Sequence, residues 1–256
     1  DPKDEPGPKT GGEIADIMGP HRGASTHEAN SLAAKRAAEE LIEFDEKGIT
    51  SYIVNRDIPE GLDAAYGELA FLLTKLCRLG VGKDTKPKQV ETTFYGKLKP
   101  FADWLMVPVT AALSDAFDRS SDAKAARAFL KDMGVECGDR ATDERKGYGN
   151  SITVDLTGGV DAGILHSASV RGTVAEGVIM ISRINDFLKL YFEPKGHTVV
   201  FVYKDRPGVL GRIGGALAKA GINIDDVRNP HDTKGEKSIA ILKVNKAVPD
   251  DVIKAV

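Results

Sequence analysis

The C-terminal part of the chain carries the pattern that restricts its fold most strongly. A β-branched run at residues 198–203 ends at the turn Asp-Arg-Pro-Gly (205–208), and apolar residues at helical spacing follow. Strand-like runs then start at Ile222 and Lys237, and a further helix starts next to Pro249. The order strand, helix, strand, strand, helix is most of a ferredoxin-like βαββαβ unit, whose last strand we expect beyond the C-terminal residue.

The residues before this unit change from a helical to a strand-like period. A helix begins after Ser25, which fits a capping box with Glu28. Further helices are predicted at 62–79, 101–117 and 123–133, with a strand at 89–95. Between residues 152 and 192 the period is two, which predicts an antiparallel meander. The predicted fold class is α+β, with an α/β domain at 59–195 followed by the ferredoxin-like domain at 196–256.

The composition argues against several classes of partner. A formal net charge of −3 with a pI of about 6.0 does not suit nucleic acid. No apolar run approaches the roughly 20 residues of a membrane span, so we expect no membrane and a cytoplasmic location. Cys77 and Cys137 have no thiol or histidine at ligand spacing, so we expect no metal site. Asp1 and Val256 look like cuts through a longer polypeptide.

The turn at 205–208 offers the groups that an amino acid needs. The first amides of the following helix, near Val209 and Leu210, lack intrahelical partners and suit a carboxylate. Asp205 beside them suits an ammonium group, and the amide of Asn223 can bond either end. An ordinary turn is the alternative, but the helix pattern and the Gly-Ile-Asn-Ile sequence that follow favour a site for a zwitterion.

This combination resembles an ACT domain of the serine-sensing type found in D-3-phosphoglycerate dehydrogenases. The resemblance implies that L-serine binds in the seam between two ACT domains, in a homodimer or homotetramer, as a feedback inhibitor of L-serine biosynthesis. The positions matched to serine contacts are Tyr203, Asp205, Asn223 and the backbone amides of Val209 and Leu210.

Near the N-terminus, Pro-His-Arg-Gly-Ala-Ser-Thr (20–26) resembles the signature around the catalytic histidine of D-isomer 2-hydroxyacid dehydrogenases. The resemblance implies that His21 is the acid/base of an NAD-dependent parent enzyme, a role that suits imidazole. Gly19 and Arg22 depart from the pattern. No G-x-G-x-x-G follows a strand, so we expect no cofactor bound to this chain. The resemblance then implies that residues 1–58 are a remnant of the catalytic region, and we expect the chain to be inactive without a catalytic half.

The middle of the chain resembles the intervening domain of the longer dehydrogenases, which is related to part of bacterial L-serine dehydratases. In the family this domain is linked to regulation by anions or substrate. Several lysines are candidates for an anion site. The more common explanation for such a pattern is a charged surface that only faces solvent. They are Lys83, Lys86, Lys88, Lys97 and Lys99.

These features together predict the allosteric regulatory region of an NAD-dependent D-3-phosphoglycerate dehydrogenase. Two alternatives stay open from the sequence, namely a free-standing amino-acid sensor and a subunit related to L-serine dehydratase. The sequence around His21 is unexplained in both alternatives.

Overall fold

The computed structural model describes residues 27–47, 58–82, 84–161 and 164–256. The chain divides into two compact units, Asp1–Val54 and Asn55–Val256. In the first unit, helix α1 spans His27–Lys47, which confirms the predicted helix. Its predicted cap, Ser25, lies outside the described residues.

The second unit begins with a six-stranded sheet and three helices, which we call the six-stranded domain. Its elements are α2 (Ala65–Val81), β1 (Pro87–Phe94), α3 (Ala102–Leu113), α4 (Ala123–Asp132), β2 (Glu136–Asp139), β3 (Ser151–Asp161), β4 (Ile164–Ala175), β5 (Val178–Ile184) and β6 (Phe187–Phe192). The strands lie in the order β2-β1-β3-β4-β5-β6. Strands β1 and β2 are parallel, and the other neighbouring pairs are antiparallel, so the predicted meander is confirmed.

Two details of this domain differ from the sequence-based prediction. The helix predicted at 101–117 ends at Leu113, because Ser114 takes an extended backbone with φ −149° and ψ 127°. Strand β2 was not predicted, since Glu-Cys-Gly-Asp has no run of β-branched or alternating apolar residues. Its backbone pairing with β1 makes it a strand.

Helices α2 and α3 contribute the apolar side chains that cover one face of this sheet. Leu69 and Leu73 of α2 have no exposed surface and belong to the same core as Ile152 and Val154 of β3. At Gly172 of β4 an added Cβ atom would lie 2.7 Å from Leu69 Cδ1, so this part of the core has no spare volume. Burying one such leucine or isoleucine contributes roughly 1.5–3 kcal/mol.

The C-terminal residues form a smaller α+β domain. Its elements are β7 (His197–Lys204), α5 (Val209–Lys219), β8 (Ile224–Arg228), β9 (Lys237–Val244) and α6 (Asp250–Lys254). The strand order is β7-β9-β8, and β9 is antiparallel to both neighbours. The third strand of this domain, β9, therefore lies between the first and the second, and β8 forms an edge of the sheet.

Strand β9 belongs to two cores at once. Ala240 and Leu242 are buried in the core that contains Leu217 of α5. The alternate residues, Ile239 and Ile241, are buried in the core of the six-stranded domain. Because successive side chains of a strand point to opposite faces, this one strand joins the two domains. Within the described ranges, no helix is long and apolar enough to cross a membrane.

Candidate functional site

The start of helix α5 has no side-chain cap. Its N-cap residue, Gly208, has φ +89° and offers no side chain, and the backbone N–H of Arg212 donates to its carbonyl over 3.0 Å. The amides of Val209 and Leu210 come before that first helical bond, so they have no partner within the helix. They lie at the positive end of the helix dipole, where a carboxylate is favoured.

The carboxylate of Asp205 faces β9 and the hairpin that leads into it. Its Oδ1 accepts a hydrogen bond of 2.8 Å from the hydroxyl of Ser238, and its Oδ2 lies 3.7 Å from His231 Nδ1. Ser238 Oγ also lies 3.0 Å from that imidazole nitrogen. The carboxylate is partly exposed, whereas Ser238 is fully buried.

Tyr203 is held at the same end of the sheet. Its hydroxyl donates a hydrogen bond of 2.6 Å to Asn229 Oδ1. The sequence-based prediction missed three residues that contact the predicted site: Asn229, His231 and Ser238. Ser238 is the register partner of Tyr203, so an explicit pairing of the two predicted strands was the signal that would have found it.

A recess of about 320 Å³ lies beside the start of α5. It contains two of the predicted contact residues, Tyr203 and Val209, whereas Asp205, Leu210 and Asn223 are not part of its lining. Its basic and apolar walls suit the carboxylate end of a small ligand. The lining residues are Phe201, Val202, Tyr203, Lys204, Arg206, Val209, Arg212, Ile213 and Val256.

Asn223 lies at the opposite end of the sheet from Asp205. Its backbone N–H donates to Asn245 Oδ1 over 3.0 Å, beyond the last residue of β9, and its side chain donates to Asp225. Asp205 instead follows the residue that pairs with Lys237, the first residue of β9. The eight residues of β9, at roughly 3.3 Å each, separate the two ends by about 25 Å. One chain therefore does not bring the predicted contacts together.

Several other predicted positions are not brought together. His21 and Lys83 lie outside the described residues. Lys86 and Lys88 are exposed at the start of β1, whereas Lys97 and Lys99 are exposed beyond its end. These four lysines therefore do not form one cluster, which contradicts the idea of a single lysine-lined anion site.

Arginines are instead grouped on the sheet face opposite the core that α2 covers, which we call the arginine face. Arg171 and Arg183 are register partners on β4 and β5. The guanidinium of Arg171 lies 3.6 Å from the ring centroid of Tyr148, and its hydrogen bond lowers the pKa of that phenol. Arg183 donates to Ser169 over 2.6 Å, and burial followed by the charge of Arg171 lowers the pKa of its guanidinium.

Both cysteines of the chain lie among the described residues. Both Cys77 and Cys137 are free thiols, and burial raises the pKa of each. Among the residues that the structure describes, no group of three or more histidine, cysteine, aspartate or glutamate side chains is placed to hold a metal ion.

Comparison with known proteins identifies the smaller C-terminal domain. Residues 197–256 match the family model of the ACT domain, so the open helix start and its polar surroundings belong to an ACT domain. The chain as a whole is homologous to D-3-phosphoglycerate dehydrogenases over 93% of its length.

The relatives come from distant organisms and are longer than this chain. The D-3-phosphoglycerate dehydrogenase of Mycobacterium bovis is 28% identical over 253 residues, which are 94% of this chain and 45% of that protein. Those of Methanocaldococcus jannaschii and Bacillus subtilis are 26% and 23% identical, each over 93% of this chain and 45% of their own length. The chain thus spans less than half of these relatives. The ACT domain and the homology together support a regulatory region of a phosphoglycerate dehydrogenase.

Proposed function

We propose that this chain is the allosteric regulatory region of an NAD-dependent D-3-phosphoglycerate dehydrogenase of the cytoplasm, and that it binds L-serine as a feedback inhibitor. The parent enzyme would oxidise a 2-hydroxy acid, with NAD and His21 working in its catalytic half. Homology over 93% of the chain favours this function over a free-standing sensor or a dehydratase subunit. The order β7-β9-β8 supports a ferredoxin-like topology for the complete ACT domain.

The proposal rests on the polar groups around the start of α5, namely the first backbone amides of the helix and the carboxylate of Asp205. Free amides at Val209 and Leu210 would bind the carboxylate of serine. The carboxylate of Asp205, held in place by Ser238, would receive its ammonium group. The two features are close in sequence and opposite in charge, which suits a zwitterion.

The position of Asn223 supports a site shared between two chains. Strand β8 is an edge of the sheet, and such an edge can pair with a second copy of itself. In an antiparallel pair, the start of each β8 lies beside the end of the other. Asn223 of the partner subunit would then approach Asn229 and Tyr203, at the end of the sheet where Asp205 lies. A homodimer, or a tetramer built from it, would complete the site.

Strand β9 offers a route from the effector to the rest of the enzyme. Ser238, which bonds Asp205, is followed directly by Ile239, which is buried in the core of the six-stranded domain. A ligand held at Asp205 therefore acts on the strand that joins the two domains. Couplings between allosteric sites are typically about 1–3 kcal/mol.

Calorimetric titration of the chain with L-serine tests this function. We expect Asp205→Asn to weaken binding roughly tenfold to a hundredfold, because it removes one charged hydrogen bond. The control Asp250→Asn, which changes an acidic residue in the first turn of α6, should bind serine like the wild type. Absence of binding by the wild-type chain at millimolar serine would contradict the proposal.

Mixing two defective variants tests whether the site is shared. Asp205→Asn and Asn223→Ala chains should each bind serine poorly as homodimers. A heterodimer contains one site in which both residues are native, so we expect the mixture to recover binding at up to half of the heterodimer sites. No recovery after verified exchange of subunits would show that each site lies within one chain.

A further inference from the structure

His231 lies next to the one carboxylate that the proposed serine site offers to an ammonium group. It belongs to the hairpin between β8 and β9, and its backbone forms an isolated bridge to Ser238. Its Nδ1 is 3.7 Å from Asp205 Oδ2, and the two side chains are 57% and 41% exposed. Solvent and protons therefore reach this pair freely.

Ser238 connects the two groups. Its single hydroxyl proton is donated to Asp205 Oδ1 over 2.8 Å, so its oxygen is left to accept from His231 Nδ1 at 3.0 Å. A hydrogen on Nδ1 is donated to Ser238 Oγ by the neutral imidazole as well as by the imidazolium. The neutral ring orients the carboxylate without competing for its charge, whereas the imidazolium places a positive charge beside it.

The other charged groups of this region are of residue types whose usual pKa values lie well away from neutrality. Asp232 lies next to His231; burial opposes its ionisation, but backbone hydrogen bonds from Lys237, Glu236 and nearby residues lower its pKa. Glu236 belongs to the same hairpin. Lys204 and Arg206 flank Asp205, and lysine and arginine side chains stay protonated in this range. Of these groups only an imidazole gains or loses its charge between about pH 5 and 8.

We propose that His231 is a positioning residue that makes amino-acid binding at Asp205 dependent on pH. The neutral imidazole, through Ser238, holds the carboxylate ready for the ammonium group of the effector. The imidazolium occupies the same carboxylate and repels that ammonium group, so affinity falls as pH falls. This inference rests on the proposed function, since it concerns the same effector site.

The test measures the Kd of L-serine for the full chain between pH 8 and pH 5.5. In the wild type we expect Kd to rise with falling pH, approaching about tenfold per pH unit once the imidazole is protonated. His231→Asn keeps an N–H donor near the position of Nδ1 but does not titrate. We expect it to bind serine at pH 8 within a few-fold of the wild type and to lose most of the pH dependence.

The matched control is His197→Asn, which changes another ACT-domain histidine at the opposite end of the sheet. It should retain the wild-type pH profile. Circular dichroism at both pH values checks the fold, and His231→Gln serves if the asparagine variant unfolds. Equal pH profiles in the wild type and the folded His231 variant would overturn this inference alone. No serine binding by the wild type at pH 8 would overturn the proposed function as well.

Discussion

Helix α4 of the six-stranded domain and helix α5 of the ACT domain begin in opposite ways. Helix α4 begins with Asp122, whose carboxylate accepts from the backbone N–H of Ala125 over 2.7 Å. Helix α5 begins with Gly208 and no side-chain cap. Charges of the six-stranded domain are also paired within it: on the arginine face, Arg140 contacts Glu91 and Asp155.

The difference shows where function should be sought. In the six-stranded domain the start of α4 and the charge of Arg140 find partners within the domain, although α2 and α3 also begin without a side-chain cap. In the ACT domain the start of α5 has no side-chain cap, β8 forms an edge of the sheet, and the carboxylate of Asp205 stays partly exposed beside Ser238 and His231. Places where a sequence departs from the local rules of folding are commonly functional sites. The comparison therefore favours the ACT domain as the ligand-binding part of the chain.

The largest expected effect tests whether the six-stranded domain supplies most of the stability. Leu73→Ala removes a fully buried side chain beside Gly172, and we expect it to lower the free energy of unfolding by about 2–5 kcal/mol. Urea denaturation followed by circular dichroism measures the change. Because β9 joins the two cores, both domains should unfold in one transition. Two separate transitions in the wild type would show that β9 does not couple the unfolding of the two domains.

Much of this organisation follows from the sequence. The switch from helical to strand-like spacing predicts the elements of both domains except β2, and the Asp-Arg-Pro-Gly turn predicts the sharp entry into α5. The double role of β9 was not predictable in the same way. The run Ser-Ile-Ala-Ile-Leu (238–242) predicts a strand, but its composition does not say that Ile239 and Ala240 serve different cores.

The candidate site shows the same limit. Asp205 and Val209 are close in sequence, so local chemistry is enough to single them out, whereas Tyr203 was singled out only by the resemblance to the serine-sensing family. His231 and Ser238 join Asp205 only through the register of β7 with β9 and the path of the hairpin. Such contacts depend on tertiary structure, and the residue types alone, one histidine in a turn-rich segment and one serine at the start of a strand, carry little signal.

A smaller effect tests the open start of α5. Gly208 has φ +89° with no atom near the position of an added Cβ, so the cost of Gly208→Ala is conformational. We expect a loss of about 1–2 kcal/mol, the penalty for placing an L-residue in the left-handed region. Gly211→Ala lies inside the same helix in equally open space and should instead stabilise by about 0.5–1 kcal/mol. Thermal unfolding of the two variants distinguishes a backbone requirement from a general intolerance of side chains here.

The smallest expected effect concerns the arginine face, where charges are paired within the domain. The hydrogen bond from Arg171 is the largest cause of the lowered pKa of Tyr148, because it favours the phenolate. Arg171→Met should therefore raise the pKa of Tyr148 towards the usual value for tyrosine. The chain has six tyrosines, so the pH titration of phenolate absorbance is compared with that of Tyr148→Phe.

Arg145→Met is the control for that titration, because Arg145 lies in the same loop region but pairs with Asp143 over 3.0 Å. It should leave the titration of Tyr148 unchanged. If Arg171→Met also leaves it unchanged, the contact between guanidinium and ring does not persist in solution. The arginine face would then be as open as the start of α5, and the contrast between the two domains would no longer single out the ACT domain.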